Sequence, residues 1–295
     1  MSIREIQAKT LLSTSKDPGA WFGVRYNMNL YRGCEHRCIY CDSRSECYGI
    51  EDFDGELCVK VNALELLDRE LLRKQRIGTV GTVGTGAMTD PYTPSEKQYR
   101  MTGGALEIIA RRGFPVHITT KSDLILRDLP ILYDINSAGA SVSITLTTMD
   151  DALARKLEPA APPPSARLNA LARLAEAGIT VGVMLMPVLP FIEDSPESLR
   201  DIITQAADAG ASYVIPWLGV SLRDRQRAHY YAELDRHFPG LRAQYERRYG
   251  DRYFCASPNT SELERVLRET CAARRLKISM RDVVAAMPNP QLSLF

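Results

Sequence analysis

Short apolar segments alternate with amphipathic helical segments along the chain, and this alternation most narrows the folds available to it. The apolar segments have the composition of strands at residues 21–31, 77–87, 116–120, 141–146, 180–186 and 212–217. Apolar residues recur at helical spacing between them, at residues 61–75, 95–112, 124–137, 165–177 and 198–209. Strand–helix–strand repeats of this kind build a parallel sheet covered by helices. Six units before residue 220 predict an α/β fold, a partial (β/α)6 barrel rather than a complete eight-unit one.

The same rhythm divides the chain into four predicted parts. Residues 1–20 are polar and end in the turn signal Lys16-Asp-Pro-Gly, so we expect a lead-in segment there. Residues 21–220 form the predicted barrel and residues 221–287 a helical C-terminal extension. Residues 288–295 are a short tail that we expect to be flexible. A length of 295 residues suits one barrel with such an appendage.

Charge and cysteine content limit the compartment and the partners. The formal net charge is +1, so contact with nucleic acid would need a local patch rather than a global field. Seven cysteines, an odd number with three clustered, argue against a disulfide framework and suit a reducing compartment. The first residues lack a signal-peptide core, and no run approaches the roughly 20 apolar residues of a membrane span. We therefore expect a cytoplasmic protein without membrane contact.

Three cysteines, Cys34, Cys38 and Cys41, stand in the spacing C-x3-C-x2-C, with Tyr40 directly before the third. Thiolates hold iron–sulfur clusters, and three of them are able to ligate three irons of a [4Fe–4S] cube. No fourth cysteine follows at a regular spacing, so one iron would stay open for a substrate or cofactor. A zinc knuckle is the alternative, but His36 has no partner at zinc-like spacing. The loop therefore favours an iron–sulfur cluster.

This motif resembles that of the radical S-adenosylmethionine (SAM) superfamily, in which the open iron binds the amino and carboxylate groups of SAM. The resemblance implies reductive cleavage of SAM to a 5′-deoxyadenosyl radical, which abstracts hydrogen from an unidentified substrate. It also implies a reductant such as flavodoxin or ferredoxin, and a (β/α)6 core. Further stretches resemble the spore photoproduct lyase-like branch, of DNA-repair photolyase type: residues 29–34, 88–96, 118–122, 143–146 and 157–162. The branch implies a DNA or nucleotide substrate.

The resemblance places candidate SAM-binding residues after the second and third strands. Gly86, Thr89 and Asp90 match loops that bind the SAM amino group; the alternative is a plain strand-to-helix turn. Lys121 matches a lysine that pairs with the SAM carboxylate; the alternative is a solvated surface lysine.

Other candidates lie on and after the fourth strand. Ser143 and Thr145 alternate and therefore point to one face. Facing the barrel interior, they would bond the ribose hydroxyls of SAM; facing the helices, they would be packed hydroxyls. Glu158 and Arg167 either contact substrate or cap the next helix. Tyr40 would pack beside the cluster or the adenine of SAM.

One position departs from the lyase pattern. In spore photoproduct lyase a cysteine three residues before the aspartate of the second-strand loop donates a hydrogen atom, and Ala87 stands there in this chain. Alanine has no S–H hydrogen, so the catalytic hydrogen donor and the substrate do not follow from the resemblance. Cys47, Cys58, Cys255 and Tyr92 are the candidate substitutes.

Arginines interleave with aromatic residues between positions 223 and 252. Such a segment is able to contact a phosphate backbone or to stack on bases. The alternative is an amphipathic helix pair with inward aromatic residues and solvated arginines.

The last five residues resemble the bacterial sliding-clamp-binding pentapeptide. Leu292, Leu294 and Phe295 would enter an apolar pocket, with Gln291 as a polar anchor. The alternative is a tail that docks on its own barrel. Two classes of function follow: a radical SAM enzyme, or an iron–sulfur DNA-maintenance module that the clamp recruits and that has little or no catalysis.

Overall fold

The computed structural model describes residues 1–86 and 88–287. Its strands are β1 (Ser2–Ile6), β2 (Ser13–Thr14), β3 (Val24–Asn27), β4 (Tyr31–Arg32), β5 (Glu56–Lys60), β6 (Thr82–Thr85), β7 (Val116–Thr120), β8 (Ala140–Thr145), β9 (Thr180–Leu185), β10 (Val214–Pro216), β11 (Gly219–Ser221) and β12 (Phe254–Ala256). Its α-helices are α1 (Ala63–Arg76), α2 (Glu96–Tyr99), α3 (Met101–Arg112), α4 (Leu129–Ile135), α5 (Asp151–Leu157), α6 (Pro164–Glu176), α7 (Pro196–Asp208), α8 (Asp224–His237), α9 (Leu241–Tyr249), α10 (Thr260–Ala273) and α11 (Met280–Ala285). Short 3-10 helices span Pro18–Ala20, Asp42–Arg44, Glu46–Tyr48 and Asp123–Asp128.

The main sheet contains six parallel strands in chain order, from β3 through β6, β7, β8 and β9 to β10. β2 adds an antiparallel edge beside β3. Within the described residues the two edge strands do not pair with each other, so the barrel is open. The predicted partial (β/α)6 barrel is therefore confirmed.

The two faces of this sheet differ in polarity. Val142 and Ile144 of β8 are fully buried in the large core cluster that the sheet shares with α3 and α6. The alternate residues Ser141 and Ser143 lie on the other, concave face, in register with His117 and Thr119 of β7. Because side chains alternate along a strand, the hydroxyls face the barrel interior and not the helices.

Several predicted elements have different limits in the structure. The predicted strand at 21–31 is two strands, because β4 leaves the barrel and pairs with β5 in a separate three-stranded sheet that also contains β1. The predicted helix at 95–112 breaks at Arg100, whose φ is 49°. The buried Glu96 carboxylate accepts hydrogen bonds there from the Thr102 (3.0 Å) and Gly103 (3.3 Å) amides and so caps α3. The predicted helix at 124–137 begins as a 3-10 helix and becomes α4.

The ends of the chain carry strands that the sequence analysis did not predict. Residues 1–20 contain β1 and β2, which pair with β5 and β3. Residues 221–287 are helical as expected, but β12 lies among them and pairs with β11. The limits of the four predicted parts stay a prediction. No helix in the described ranges is long and apolar enough to cross a membrane.

Candidate active site

Three thiols line one cavity of about 330 Å³ at the carboxyl ends of the barrel strands. Cys34 and Cys38 are buried and Cys41 is half-buried, on the loop that follows β4. Tyr40, from the same loop, also lines the cavity. Chemistry in parallel barrels is found at this end, where the loops after each strand converge.

The barrel supplies the opposite wall from the ends of three neighbouring strands. Gly86, Thr89 and Asp90 follow β6, Lys121 follows β7, and Thr145 ends β8, and all five line the cavity. The structure thus brings these five predicted residues together with the cysteines.

Ser143 is the predicted residue that does not line this cavity. Its hydroxyl lies deeper in the barrel, 2.8 Å from the Tyr213 hydroxyl and 3.3 Å from His117 Nε2. Ser141 contacts the other ring nitrogen of His117 at 2.8 Å, and Phe22 stacks on that ring with 3.8 Å between centroids. We call His117, Ser141, Ser143 and Tyr213 the inner polar layer.

Hydrogen bonds join the cysteine loop to the segment after β6. The Glu35 carboxylate accepts from the Ser95 amide (2.7 Å) and from the Thr93 hydroxyl (3.0 Å). The Ser43 hydroxyl donates to the Met88 carbonyl at 3.0 Å. At the start of the loop Gly33 has φ +89°, and a Cβ there would lie 2.8 Å from the Glu56 carbonyl oxygen. The loop is therefore fixed from both sides of the thiols.

The first turn of α8 holds the other end of the cysteine loop. Gln226 is fully buried, and its amide nitrogen donates to the carbonyls of Tyr40 (3.1 Å) and Ser221 (2.9 Å). Arg225 donates to the Arg44 carbonyl at 2.6 Å. Arg223 pairs with Asp42 at 2.6 Å. The C-terminal extension is thus part of the wall that positions the cysteines.

The same contacts explain much of the arginine-rich and aromatic segment at 223–252. Its first arginines bond to the chain's own carbonyls and carboxylates. Its tyrosines are buried between α8 and α9: Tyr230, Tyr231, Tyr245 and Tyr249. These contacts favour the packed amphipathic helices over a nucleic-acid surface.

Asp90 organises the wall opposite the thiols. Its Oδ1 accepts from the Thr120 hydroxyl (2.6 Å) and the Tyr92 amide (2.9 Å), and its Oδ2 accepts from the Lys121 amide (2.7 Å). Gly86 has φ +99°, and a Cβ there would lie 2.0 Å from the Thr119 carbonyl oxygen. The loop after β6 therefore packs directly against the end of β7. Only glycine at position 86 permits this close approach.

A buried ionic cluster, formed by Tyr40, Lys121, Glu158 and Arg167, adjoins the cavity. The Glu158 carboxylate pairs with Arg167, accepts from the Tyr40 hydroxyl, and lies 3.8 Å from Lys121 Nζ. Arg167 also donates to the carbonyls of Pro162 (2.7 Å) and Thr145 (3.2 Å). Glu158 and Arg167 therefore support the wall of the cavity, whose lining includes Tyr40 and Lys121.

Charges inside this cluster hold it ionised. Burial opposes the charged form of Glu158, but Arg167 and then Lys121 outweigh it and lower the pKa of that carboxyl. Burial likewise disfavours the ammonium of Lys121, yet the facing Cys38 and Glu158 raise its pKa. A cation thus faces the cavity beside the thiols.

The thiols themselves need a positive partner. Burial raises the pKa of Cys34 to about 12, and it also raises the pKa values of Cys38 and Cys41. Thiolates in this wall would be costly unless metal ions compensated them, as iron does in a cluster. Among the described residues, no three His, Cys, Asp or Glu side chains converge on a point suited to one metal ion.

Some cavity residues were missed or undervalued by the sequence analysis. His36 was weighed only as a zinc ligand; it is buried in the wall, and neither ring nitrogen has a hydrogen-bond partner among the described residues. Burial lowers its pKa, so the ring is neutral. Trp217 lines the cavity although its side chain is 49% exposed. Its place at the end of the sixth predicted strand was the available signal. Two predicted features, Ala87 and the tail at 291–295, lie outside the described residues.

A parallel partial barrel with three thiols in one cavity at the carboxyl ends of its strands is typical of a cofactor-dependent barrel enzyme. The model of the Radical SAM superfamily matches residues 28–205, and the chain belongs to that superfamily. It is a radical SAM enzyme, and the family implies a [4Fe–4S] cluster and SAM as its cofactors.

Relatives and solved structures agree with this membership. An uncharacterized protein of Mycobacterium tuberculosis is 34% identical over 255 residues, which cover 84% of this chain and 74% of that protein. The Radical SAM Nalpha-GlyT isomerase of Pseudomonas phage M6 is 27% identical over 182 residues, 62% of this chain and 36% of that protein. Spore photoproduct lyase complexed with dinucleoside spore photoproduct matches with a TM-score of 0.68 at 16% identity, over 94% of this chain and 81% of that chain. The predicted likeness to spore photoproduct lyase is confirmed in the fold.

Proposed function

We propose that Cys34, Cys38 and Cys41 hold a [4Fe–4S] cluster on which SAM is cleaved reductively, and that the substrate is a nucleic acid. The observation that carries the first part is the cavity: its lining joins the buried Cys34 and Cys38 and the half-buried Cys41 to a partly buried cation, Lys121. When bound, the cluster and SAM together supply a 5′-deoxyadenosyl radical that abstracts hydrogen.

The residues of the cavity divide the work of binding SAM. Lys121 pairs with the SAM carboxylate, and Glu158 with Arg167 keeps that ammonium in place. The Gly86 backbone approaches the amino group, while Asp90 sets the position of the Lys121 amide. Thr145 lines the cavity, and its hydroxyl forms a hydrogen bond with the ribose of SAM. Tyr40 packs beside the cluster or the adenine.

Exposed aromatic side chains at the mouth of the cavity support a nucleic-acid substrate. Trp217, which lines the cavity, and Phe254 meet edge to face with 5.3 Å between ring centroids. Tyr253 is exposed beside Phe254, the first residue of β12. Aromatic faces that are open to solvent are able to stack on unpaired bases. A solved structure of similar fold holds a dinucleoside spore photoproduct, which is a substrate of this chemical class.

Deuterium transfer tests this proposal. The reconstituted protein, SAM and dithionite are incubated with single-stranded oligodeoxynucleotides deuterated on the sugar or on the thymine methyl group. We expect deuterium in the 5′-deoxyadenosine that forms, measured by mass spectrometry. Trp217→Ala should reduce this transfer about tenfold, as expected when a base-stacking contact is lost. Tyr133→Ala, which removes an exposed aromatic ring from α4, is the matched control.

Two outcomes would count against the nucleic-acid substrate. One is 5′-deoxyadenosine that forms at the same rate with and without oligonucleotide and never carries deuterium. The other is an equal effect of Trp217→Ala and Tyr133→Ala on the transfer.

The sequence of residues 291–295 supports a second proposal, recruitment by the bacterial sliding clamp. Gln291, Leu292, Leu294 and Phe295 are the contact residues. We expect calorimetry to detect binding of the full chain to the clamp, and its loss when residues 291–295 are deleted, with unchanged 5′-deoxyadenosine formation. Absence of binding by the full chain, with a 291–295 peptide also inactive, would end this proposal.

A further inference from the structure

A second cavity, of about 450 Å³, lies against the outer side of the cysteine loop. Arg37 and Ile39, the neighbours of Cys38 in the chain, form part of its wall, whereas Cys38 itself lines the active-site cavity. No described residue lines both cavities, so the loop around Cys38 is the partition between them. We call the second cavity the basic groove. Its remaining wall comes from α5 and the residues after it, from α8, and from Arg44 and Asp54.

The groove has an excess of positive charge. Arginine and lysine outnumber aspartate and glutamate by three in its lining. Arg37, Arg155 and Arg236 are exposed, and among the described residues no carboxylate lies within ion-pairing distance of them. Burial, and then the charge of Arg44, lowers the pKa of His229, so that ring adds no charge at pH 7. Three guanidinium groups without a carboxylate partner thus face solvent around the cavity, and that of Arg37 also donates to the Asp54 carbonyl at 3.4 Å.

Backbone hydrogen bonds fix the groove to the cysteine loop. The Ile39 amide donates to the Leu157 carbonyl at 2.9 Å, and the Ala160 amide donates to the His36 carbonyl at 3.2 Å. These bonds tie the end of α5, which carries Arg155 and Lys156, to the residues on both sides of Cys38. The positive charges therefore keep a fixed position relative to the thiol.

The exposed Trp217, where we propose that substrate enters, lines the active-site cavity and not the basic groove. This inference rests on the proposed function: each reductive cleavage of SAM needs one electron, which reaches the cluster from outside the chain. An electron donor must approach the cluster closely without blocking the mouth, and the outer side of the Cys38 loop provides such an approach.

We propose that the basic groove is the docking surface for an acidic electron-carrier protein, which passes electrons to the cluster past Cys38. The carrier is oxidised by one electron and the cluster is reduced by one. Complementary charge accounts for the recognition, because it steers association and fixes orientation even where it adds little affinity. Flavodoxin and ferredoxin have the required chemistry, since both are acidic one-electron carriers.

The test compares Arg155→Glu/Arg236→Glu with Arg200→Glu, which reverses an exposed charge on α7. Each reconstituted protein is assayed for 5′-deoxyadenosine with reduced flavodoxin and, separately, with dithionite. Binding of oxidised flavodoxin is measured by calorimetry at low and high salt. We expect the groove variant to lose at least tenfold in flavodoxin affinity and in flavodoxin-driven rate at low salt. Its dithionite-driven rate should stay within twofold of the wild type, and the difference in affinity should shrink at high salt.

Three results would overturn the proposal. The first is no detectable binding of flavodoxin or ferredoxin to the unmodified holoprotein. The second is an equal loss of flavodoxin-driven and dithionite-driven rates in the groove variant. The third is a tenfold loss of affinity for a single-stranded oligonucleotide with unchanged affinity for flavodoxin, which would assign the groove to nucleic acid.

Discussion

Two polar groups on the concave face of the same barrel differ in almost every physical property. In the inner polar layer His117 contacts Ser141 and Ser143. Tyr213, the residue before β10, completes the layer through its hydroxyl, which bonds to Ser143. The ionic cluster stands higher, where β7 and β8 end, and includes Lys121 and the Glu158–Arg167 pair. The inner layer satisfies its hydrogen bonds internally and carries no charge. The ionic cluster is charged and adjoins the cavity.

The difference shows how position along a strand separates a packed polar residue from a site residue. Ser143 and Thr145 are two residues apart on one face of β8, yet only Thr145 lines the cavity. The Tyr213 hydroxyl forms a hydrogen bond with the Ser143 hydroxyl, which is therefore already paired within the protein. Polar groups are stable inside the barrel when they bond to each other. They are available to a cofactor only above that layer.

The largest expected effect is on the ionic cluster. Glu158→Ala would leave Arg167, 1% exposed, as a buried charge without its partner, and we expect a loss of about 3–5 kcal/mol in the free energy of unfolding. Anaerobic urea titration measures this loss. Glu158→Gln, which keeps the shape and an oxygen acceptor, should lose less. Equal and small losses for both variants would mean that the pair is not buried as described.

Removing the cation should affect SAM more than stability. Lys121→Met would take away a charged partner of the SAM carboxylate, and we expect SAM to bind roughly 10- to 100-fold more weakly, in keeping with a charge-assisted hydrogen bond. Calorimetry with SAM measures the change, and Lys97→Met, which removes an exposed lysine from α2, is the control. Unchanged SAM affinity in Lys121→Met would assign that lysine to structure alone.

The inner layer should reveal itself through pH. Burial lowers the pKa of His117 to about 3, so between pH 3 and 6.5 the unfolded chain binds a proton at this ring that the folded chain does not. Stability therefore falls as the pH is lowered through this range. From pH 7 to pH 5 this one group should remove about 2 kcal/mol. Urea titrations at both pH values should show His117→Phe losing about 2 kcal/mol less than the wild type over this interval. Identical pH slopes would contradict a neutral, buried His117.

The smallest effect belongs to Ser143. Ser143→Ala removes its contact with the Tyr213 hydroxyl, which keeps its own bond to the Val142 carbonyl at 3.1 Å. We expect a loss of about 1 kcal/mol in unfolding free energy, and SAM affinity within twofold of the wild type. A tenfold loss of SAM affinity would show instead that Ser143 reaches the ribose, as the resemblance implies.

Local sequence pattern was enough for the barrel and for its strand ends. The segments at β7, β8 and β9 are apolar on their helix-facing side and end at turn signals, so their limits were predicted to within one residue. β5, β11 and β12 were missed because each pairs with a strand distant in the chain, and β11 and β12 have only three residues each. The break at Arg100 depends on the Glu96 carboxylate, which accepts from the Thr102 amide and is held by Arg127, 31 residues away, at 2.6 Å. That tertiary contact has no local sequence signal.

Part of the cavity lining was also predictable, because the predicted strand ends locate the loops that form it. Residues after strand ends converge by topology, so Gly86, Asp90 and Lys121 could be grouped without a structure. Gln226 could not, because its bond to the Tyr40 carbonyl spans 186 residues and carries no local signal. Ser143 also could not be separated from the site residues by sequence alone. Its hydroxyl pairs with Tyr213, which belongs to a different unit of the barrel.

The central claim is that three thiols in one cavity hold the cluster that cleaves SAM. The most direct measurement is the rate of 5′-deoxyadenosine formation from SAM and dithionite in reconstituted wild type, Cys38→Ala and Cys271→Ala. Cys271 is a buried thiol outside the lining of the cavity and so serves as the matched control. We predict formation by the wild type and by Cys271→Ala, with none above background for Cys38→Ala. A wild type that forms no 5′-deoxyadenosine, or a Cys38→Ala variant that keeps the wild-type rate, would contradict the account.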